Sequence, residues 1–404
     1  MQRAVPDRST DAAPPRAGEP RRALFGAGLA HVLHDGYTDL LYVLLPVWQA
    51  EFGLSYAGLA MVRCLYNGTM GGLQVPADRL MARLSFRAAL ALSSLVAAAG
   101  FLLMGLTGSF VGLCAGLVLS GIGSSVQHPR ASLLVASAYG SAARRPLGLY
   151  NFAGDLGKAV FPIVVALLLG LLAWRLVAVL MAVVGLTVAL ALLGVVPDER
   201  AGQAEAKPGE RASSGDRVGF RLLLASGALD TATRMGFLLF LPFLIHAKGG
   251  DETAVGVSLA LTFAGGALGK ACCGSLGERY GVVRSVIATE AATALLMVTT
   301  LALPLGPCLA LLPILGIVLN GTSSVLYGTV PELAPHGETG RAFALFYTGV
   351  IGSGGVAPIA YGAFGDRAGE TAGVIAAALT ALAIVPLVLA LRGRLHEGRA
   401  HCSA

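Results

Sequence analysis

Charge is what this sequence is short of. Only 13% of its 404 residues are Asp, Glu, Lys or Arg, against 55% hydrophobic. A water-facing surface needs roughly a quarter charged residues, so a soluble globular domain is excluded. Cysteine is also sparse. Cys64, Cys114, Cys272, Cys273, Cys308 and Cys402 fall mostly inside apolar runs. They lack the paired spacing of a disulfide framework or a zinc site and read as small hydrophobes. Walker, Rossmann, HExxH and Ser-His-Asp signatures are missing as well. An ATP-driven pump or a membrane hydrolase would therefore have no engine, and neither an enzyme activity nor a cofactor is expected.

What the chain does have is apolar runs. A bilayer core about 30 Å thick needs about 20 apolar residues per helix. Twelve segments of that kind follow one another, near 24–47, 55–77, 88–107, 110–136, 147–172, 175–196, 221–246, 254–276, 285–304, 307–331, 341–365 and 371–391. The 54 glycines are scattered through them, as suits helices whose backbones approach closely. Residues 1–22 and 393–404 read as polar tails, and 197–219 as a flexible linker at the midpoint.

Basic residues give an orientation. With the first tail inside, that tail and the loops on its side hold 21 of the 29 Lys and Arg, and the opposite side holds Arg175, Lys248 and Arg367. The positive-inside rule then puts both termini in the cytoplasm of a bacterial-type cell, with the chain in its inner membrane. The net charge of +6 follows from this topology and needs no nucleic acid to explain it.

The two halves repeat. Asp35 and Pro46 in span 1 correspond to Asp230 and Pro242 in span 7; Gly123-Ser-Ser-Val126 corresponds to Thr322-Ser-Ser-Val325, and Pro162 to Pro358. The offsets are about half the chain, which points to an N-terminal bundle over 23–196 and a C-terminal bundle over 220–392. Parallel six-span repeats are a transporter design, with the substrate between the halves.

At this point the sequence resembles the major facilitator superfamily. Its loop motif is well formed between spans 8 and 9, Gly274-Ser-Leu-Gly-Glu278-Arg279-Tyr-Gly281-Val-Val-Arg284. The motif is degraded between spans 2 and 3, Gln74-Val-Pro-Ala-Asp78-Arg79-Leu-Met-Ala-Arg83. The resemblance implies an all-α membrane protein of twelve transmembrane helices in two pseudo-symmetric bundles. It also implies a cytoplasmic gate at Asp78, Arg79, Glu278 and Arg279, in which the acid lies near a helix N-terminus and the basic residues pair across the half. A narrower similarity to the fosmidomycin-resistance branch rests on His31-Val-Leu-His34-Asp35, Gly121-Ile-Gly-Ser-Ser-Val-Gln-His128-Pro129 and Ala153-Gly154-Asp155-Leu-Gly157. It implies a drug exporter driven by proton entry. Asp155 and Lys158 depart from the pattern, where uncharged residues are expected.

Ten charges fall within spans or at their inner ends: Asp35, Asp39, Arg63, Arg130, Asp155, Lys158, Asp230, Arg234, Lys270 and Glu290. Each would cost about 2.5–3.5 kcal/mol at mid-bilayer. Ten facing lipid would exceed a typical folding stability of about 5–15 kcal/mol, so they must pair or face a wet cavity. His31, Asp35 and Asp39 stand at i, i+4, i+8 with His34 beside them, one titratable stripe on span 1. Asp35 is the expected proton carrier with His31 or His34 as partner, and Asp39 and Asp155 are further candidates; a purely structural Asp–His bond is the alternative. Asp155 and Lys158, and Asp230 and Arg234, are spaced for intrahelical pairs. Alternatively Lys158, Arg234, Arg63 and Lys270 present positive charge to an anionic substrate. Asn67, Gln127, His128, Asn151, Asn320, Tyr327 and Tyr347 would add hydrogen bonds. No metal site is expected at His31, His34 and His128, which show no ligand spacing.

The reading is a monomeric secondary transporter working by alternating access, a proton-coupled antiporter exporting a drug or anionic compound. Uptake of an organic anion is the alternative in transport, and a non-transporting receptor or scaffold the alternative in another class.

Overall fold

A computed structural model describes residues 18–198, 216–334 and 339–395; the backbone alone is described at 141, 144, 274, 275, 278, 339–341, 343 and 344. Twelve long helices account for nearly all of them. They are α1 Glu19–Phe52, α2 Tyr56–Met81, α3 Phe86–Leu106, α4 Phe110–Tyr139, α5 Arg144–Leu169, α6 Trp174–Val195, α7 Arg217–Ala247, α8 Glu252–Tyr280, α9 Val282–Ala302, α10 Leu305–Leu333, α11 Thr339–Ala368 and α12 Glu370–Leu391. The chain is an all-α membrane protein of two pseudo-symmetric six-helix bundles. Among the described residues nine helices are long and apolar enough to cross a membrane by length and composition, the others being α1, α2 and α11. Those three hold polar residues or glycines against the interior, which lowers their mean hydropathy.

Local chemistry sets the helix ends. Ser55, Ser85 and Ser109 each accept the amide three residues on, from Gly58, Ala88 and Gly112 at 3.1–3.3 Å. Such caps satisfy amides left free in a helix's first turn. Gly53 ends α1 with φ 63°, a left-handed conformation that suits glycine. Interior prolines recur at matching places, Pro46 of α1 with Pro242 of α7 and Pro162 of α5 with Pro358 of α11.

Two boundaries differ from the sequence reading. α1 starts at Glu19, inside the expected tail, and Arg22 donates to the carbonyls of Gly194 and Val195 at the end of α6. α7 starts at Arg217, inside the expected linker, because Asp216 caps it, accepting from Val218 N at 3.0 Å. The rest of the linker, from 199 to 215, lies outside the described residues.

In one bundle α1 packs on α4 and α5, α2 on α4, and α3 on α4 and α6; in the other α7 packs on α11 and α12, α8 on α10, and α9 on α10 and α12. The bundles meet through α5 against α8 and α2 against α11. The outer faces of α3, α6, α9 and α12 expose Leu95, Leu190, Leu295 and Leu379, as hydrocarbon requires. Close approach needs glycine. A Cβ on Gly157 of α5 would sit 2.2 Å from the Val32 carbonyl of α1.

Candidate functional site

Glycine brings α5 against α1, and that contact assembles a charged group. Asp35 is buried. His31 Nε2 and Lys158 Nζ both lie 3.2 Å from its Oδ2, and His128 Nε2 lies 3.4 Å from its Oδ1. His31 is oriented from its other side. Its Nδ1 is 2.8 Å from the carbonyl oxygen of Tyr150, and its ring stacks on that tyrosine at 4.1 Å.

This geometry fixes proton bookkeeping. A carbonyl oxygen only accepts, so His31 Nδ1 carries the hydrogen. In the neutral tautomer Nε2 is then bare, and a hydrogen bond to Asp35 needs one more proton on the imidazole or the carboxyl. His34 is held elsewhere: Nδ1 meets Ser124 Oγ at 3.0 Å, and Nε2 meets Ser93 and Ser94 at 3.3 Å. Of the two candidate partners, only His31 reaches Asp35.

His31, Asp35 and His128 each offer a ligand atom within 4.8 Å of the others, a spacing the sequence did not reveal. The Lys158 ammonium already occupies the cation position on Asp35, and His31 Nδ1 is committed to a carbonyl. The cluster is built around a cation that the chain supplies.

Neither intrahelical pair forms. Lys158 reaches Asp35 on α1, while Asp155 receives Lys270 of α8, Nζ to Oδ1 2.5 Å. Asp230 accepts from Ser323 Oγ at 2.7 Å, and Arg234 donates to Asn320, Ser323 and Thr231 at 3.1–3.3 Å. The reason is geometric: α1 and α8 against α5, and α10 against α7, approach closely enough to offer better-placed partners than the next turn of the same helix.

Between the bundles lies a cavity of about 210 Å³. Its charged lining is Asp39, Asp155, Lys158, Arg234 and Lys270, with Asn320, Ser323 and Tyr327 as hydrogen-bonding groups and Met235, Leu238, Phe263 and Gly266 as the apolar part. Arg63 and Asn67 lie apart, in a small pocket with Tyr42 and Cys64. Arg63 stacks over Tyr42 at 3.7 Å and donates to the Thr38 carbonyl at 2.6 Å. Its Nη2 and the Asn67 Oδ1 are buried without a partner among the described residues.

Other expected ligands fall outside the cavity. Gln127 is buried and donates to Tyr150 Oη at 3.3 Å. Asn151 is exposed and lines neither cavity, and Tyr347 is half-exposed against Tyr327. Asn151 turns away because α5 presents Gly154, Asp155 and Lys158 inward.

The expected gate residues lie at helix ends. The segments expected as loops are largely helical, since α2 runs to Met81 and α8 to Tyr280. Asp78 therefore sits in the last turn of α2. Its partner is Arg130 of α4, with Nε 2.8 Å from Oδ1 and Nη2 2.6 Å from the Asp78 carbonyl. Arg79 is exposed, and Arg279 is exposed over the Tyr280 ring. The Glu278 side chain lies outside the described residues.

The sequence reading missed Ser323, although its Thr322-Ser-Ser-Val325 run placed a hydroxyl one turn from Asn320. It also missed a seal at the opposite end of the bundles. Asp366 of α11 accepts from the amides of Tyr56 and Ala57 at 2.6 and 3.1 Å, and Tyr56 Oη donates to Glu370.

Two membrane-embedded helical bundles around a charged cavity define a secondary transporter, and known proteins agree with that class. A sequence model of the Major Facilitator Superfamily matches residues 27–229 and 222–401, and the chain belongs to that family. It is 26% identical over 161 residues to the fosmidomycin resistance protein of Escherichia coli K12, a match spanning 39% of this chain and 40% of that protein. It is 24% identical over 387 residues to the MFS-type transporter YfnC of Bacillus subtilis 168, covering 92% and 93% of the two chains. Among solved structures, a bacterial homologue of the human lysosomal transporter Spinster, inward-facing and occupied, superposes with TM-score 0.76 at 16% identity, over 94% of this chain and 98% of that one. A nucleoside transporter does so with TM-score 0.75 at 12% identity, over 91% and 99%. The chain is a transporter of a small molecule across a lipid bilayer, and it is not an enzyme.

Proposed function

We propose that this chain couples proton entry to the export of a small anionic organic compound. The His31–Asp35 contact carries the reading. With Nδ1 donating to a carbonyl, the pair holds a proton that one side of the membrane can supply and the other can take away. Lys158 on the same carboxylate gives Asp35 an alternative, fixed cation. Changing the distance between α5 and α1 would exchange proton for lysine.

The cavity supports the anion. Lys158 and Lys270 are paired with Asp35 and Asp155, whereas the hydrogen bonds of Arg234 go to neutral oxygens on Asn320, Ser323 and Thr231. Its planar guanidinium suits a carboxylate or phosphonate. The similarity to a fosmidomycin resistance protein favours export and makes fosmidomycin the first compound to try.

In this reading the chain is a monomer of the bacterial inner membrane with both termini cytoplasmic. The halves 23–196 and 220–392 rock about the cavity, the Tyr56–Asp366 seal faces outward, and the Asp78–Arg130 side faces the cytoplasm. The test is fosmidomycin transport into proteoliposomes under an imposed proton gradient. Asp35→Asn is expected to abolish gradient-driven accumulation while leaving exchange down a concentration gradient. Full gradient-driven accumulation by that variant sinks the proposal.

A further inference from the structure

The charges of the cavity wall do not all pair within the protein. Lys158 is paired with Asp35 and Lys270 with Asp155. Two charged side chains of the lining are left over, Asp39 on α1 and Arg234 on α7. Asp39 is 5% exposed and makes no hydrogen bond or ion pair among the described residues. A carboxylate withdrawn from water is costly until a cation or hydrogen donors meet it. Arg234 donates to Asn320, Ser323 and Thr231, which leaves part of its guanidinium fork unused.

Two other charges stand close by but outside the lining. Arg63 lies in the separate small pocket, over the Tyr42 ring and on the Thr38 carbonyl. Asp230 stands behind Ser323, whose hydroxyl accepts from Arg234 Nη1 at 3.1 Å and donates to Asp230 Oδ2 at 2.7 Å. Asp39 and Arg234 thus present opposite charges to one space from opposite bundles. Their helices meet beside them, where Tyr42 Oη donates to Met235 Sδ at 3.2 Å. Leu238 and Phe263 give the same cavity an apolar side, suited to a short hydrocarbon chain.

We propose that Asp39 and Arg234 form a two-ended substrate site, which selects anionic compounds that also carry an amine. Arg234 takes the phosphonate or carboxylate, as in the reading above, on which this proposal rests. Asp39 takes the ammonium group at the other end, and the apolar side takes the chain between. Such a compound gives Asp39 the partner that the protein itself does not supply. Because the two ends lie on α1 and α7, a bound substrate joins the bundles across the cavity. Asp35 keeps its own partners, His31, His128 and Lys158, so the proton-holding contact is left as described.

The experiment is calorimetric titration of the purified full-length protein at neutral pH with a matched pair of compounds, 3-aminopropylphosphonate and butylphosphonate. The two differ by an ammonium in place of a methyl group. The amine should bind tighter by about tenfold or more, and Asp39→Asn should cut that preference to under about twofold, since a charge-assisted hydrogen bond is lost. Arg234→Gln should weaken both compounds, which tests the anion end separately. Where Asp39→Asn does not purify as a monodisperse protein, Asp39→Glu keeps the charge on a longer arm. It should shift the preference toward the shorter 2-aminoethylphosphonate. Equal binding of the matched pair overturns this proposal and leaves the anion reading standing. A preference that survives Asp39→Asn, or an order of amines unmoved by Asp39→Glu, also overturns it. Binding of neither phosphonate overturns the anion reading and this proposal together.

Discussion

Lys270 of α8 reaches across the bundle interface to Asp155 of α5, placing its Nζ 2.5 Å from Oδ1. The two residues sit on helices that form one of the two seams between the bundles, and they line the same cavity. An ion pair in this position does two things. It neutralises a carboxylate that hydrocarbon would reject, and it ties the bundles together beside the substrate space.

Removing one partner should therefore cost more than removing both. Lys270→Ala leaves Asp155 buried and unpaired, at about 1–3 kcal/mol of destabilisation. The double variant Lys270→Ala/Asp155→Ala should recover most of that loss. Thermal unfolding of the purified single and double variants checks this; a strictly additive result would mean the pair contributes nothing as a pair.

Gly154 of α5 faces the proton-holding group. A Cβ there would lie 2.5 Å from His31 Nε2 and 2.6 Å from Asp35 Oδ2. Gly154→Ala should displace the His31–Asp35 contact and reduce gradient-driven transport by about tenfold or more, with expression retained because side chains can give way. Gly157→Ala meets the Val32 backbone instead, which cannot yield, and should lower the yield of folded protein. Fluorescence-detected size exclusion alongside vesicle transport separates the two effects.

The Asp366 seal acts across the bundles as a cap on the start of α2. Losing a capping carboxylate costs about 0.5–2 kcal/mol. A change of one or two kcal/mol alters a two-state ratio by a factor of about 5–30. Asp366→Ala should populate the conformation open at that end, measured as faster alkylation of a cysteine introduced at Phe243, which packs on Tyr56. An unchanged alkylation rate would mean that the seal does not control the opening.

Asp216 supplies a pH dependence outside the membrane. The Arg394 guanidinium, 2.6 Å away, and the amides at the start of α7 hold its carboxyl below the ordinary carboxylate value. A lowered native pKa means that the stabilisation is complete above the unfolded value and is lost as pH falls through the native one. Asp216→Ala should lower the unfolding temperature at neutral pH, and the difference from the unsubstituted protein should shrink as the solution becomes strongly acidic.

Sequence alone determined the number and placement of the helices. Runs of about 20 apolar residues have few alternatives to a membrane helix, and serine caps and glycine stops act within a few residues. It also picked out which charges enter the membrane, because ten exceptions in an apolar background are visible without coordinates. Most of the cavity lining was legible for that reason, Arg234, Lys158, Lys270 and Asn320 among them.

Partner choice was not legible. A helical repeat nominates neighbours at i+3 and i+4, so Asp155 pointed to Lys158 and Asp230 to Arg234. The tertiary structure reassigned them, giving Lys158 to Asp35, Asp155 to Lys270 and Asp230 to Ser323. It also chose His31 over His34, by setting a backbone carbonyl behind one ring and serine hydroxyls around the other. These outcomes depend on how closely α5 meets α1 and α8, and α10 meets α7. Glycine contacts and helix crossings set those separations, and neither can be read from the spacing of residues along a single helix.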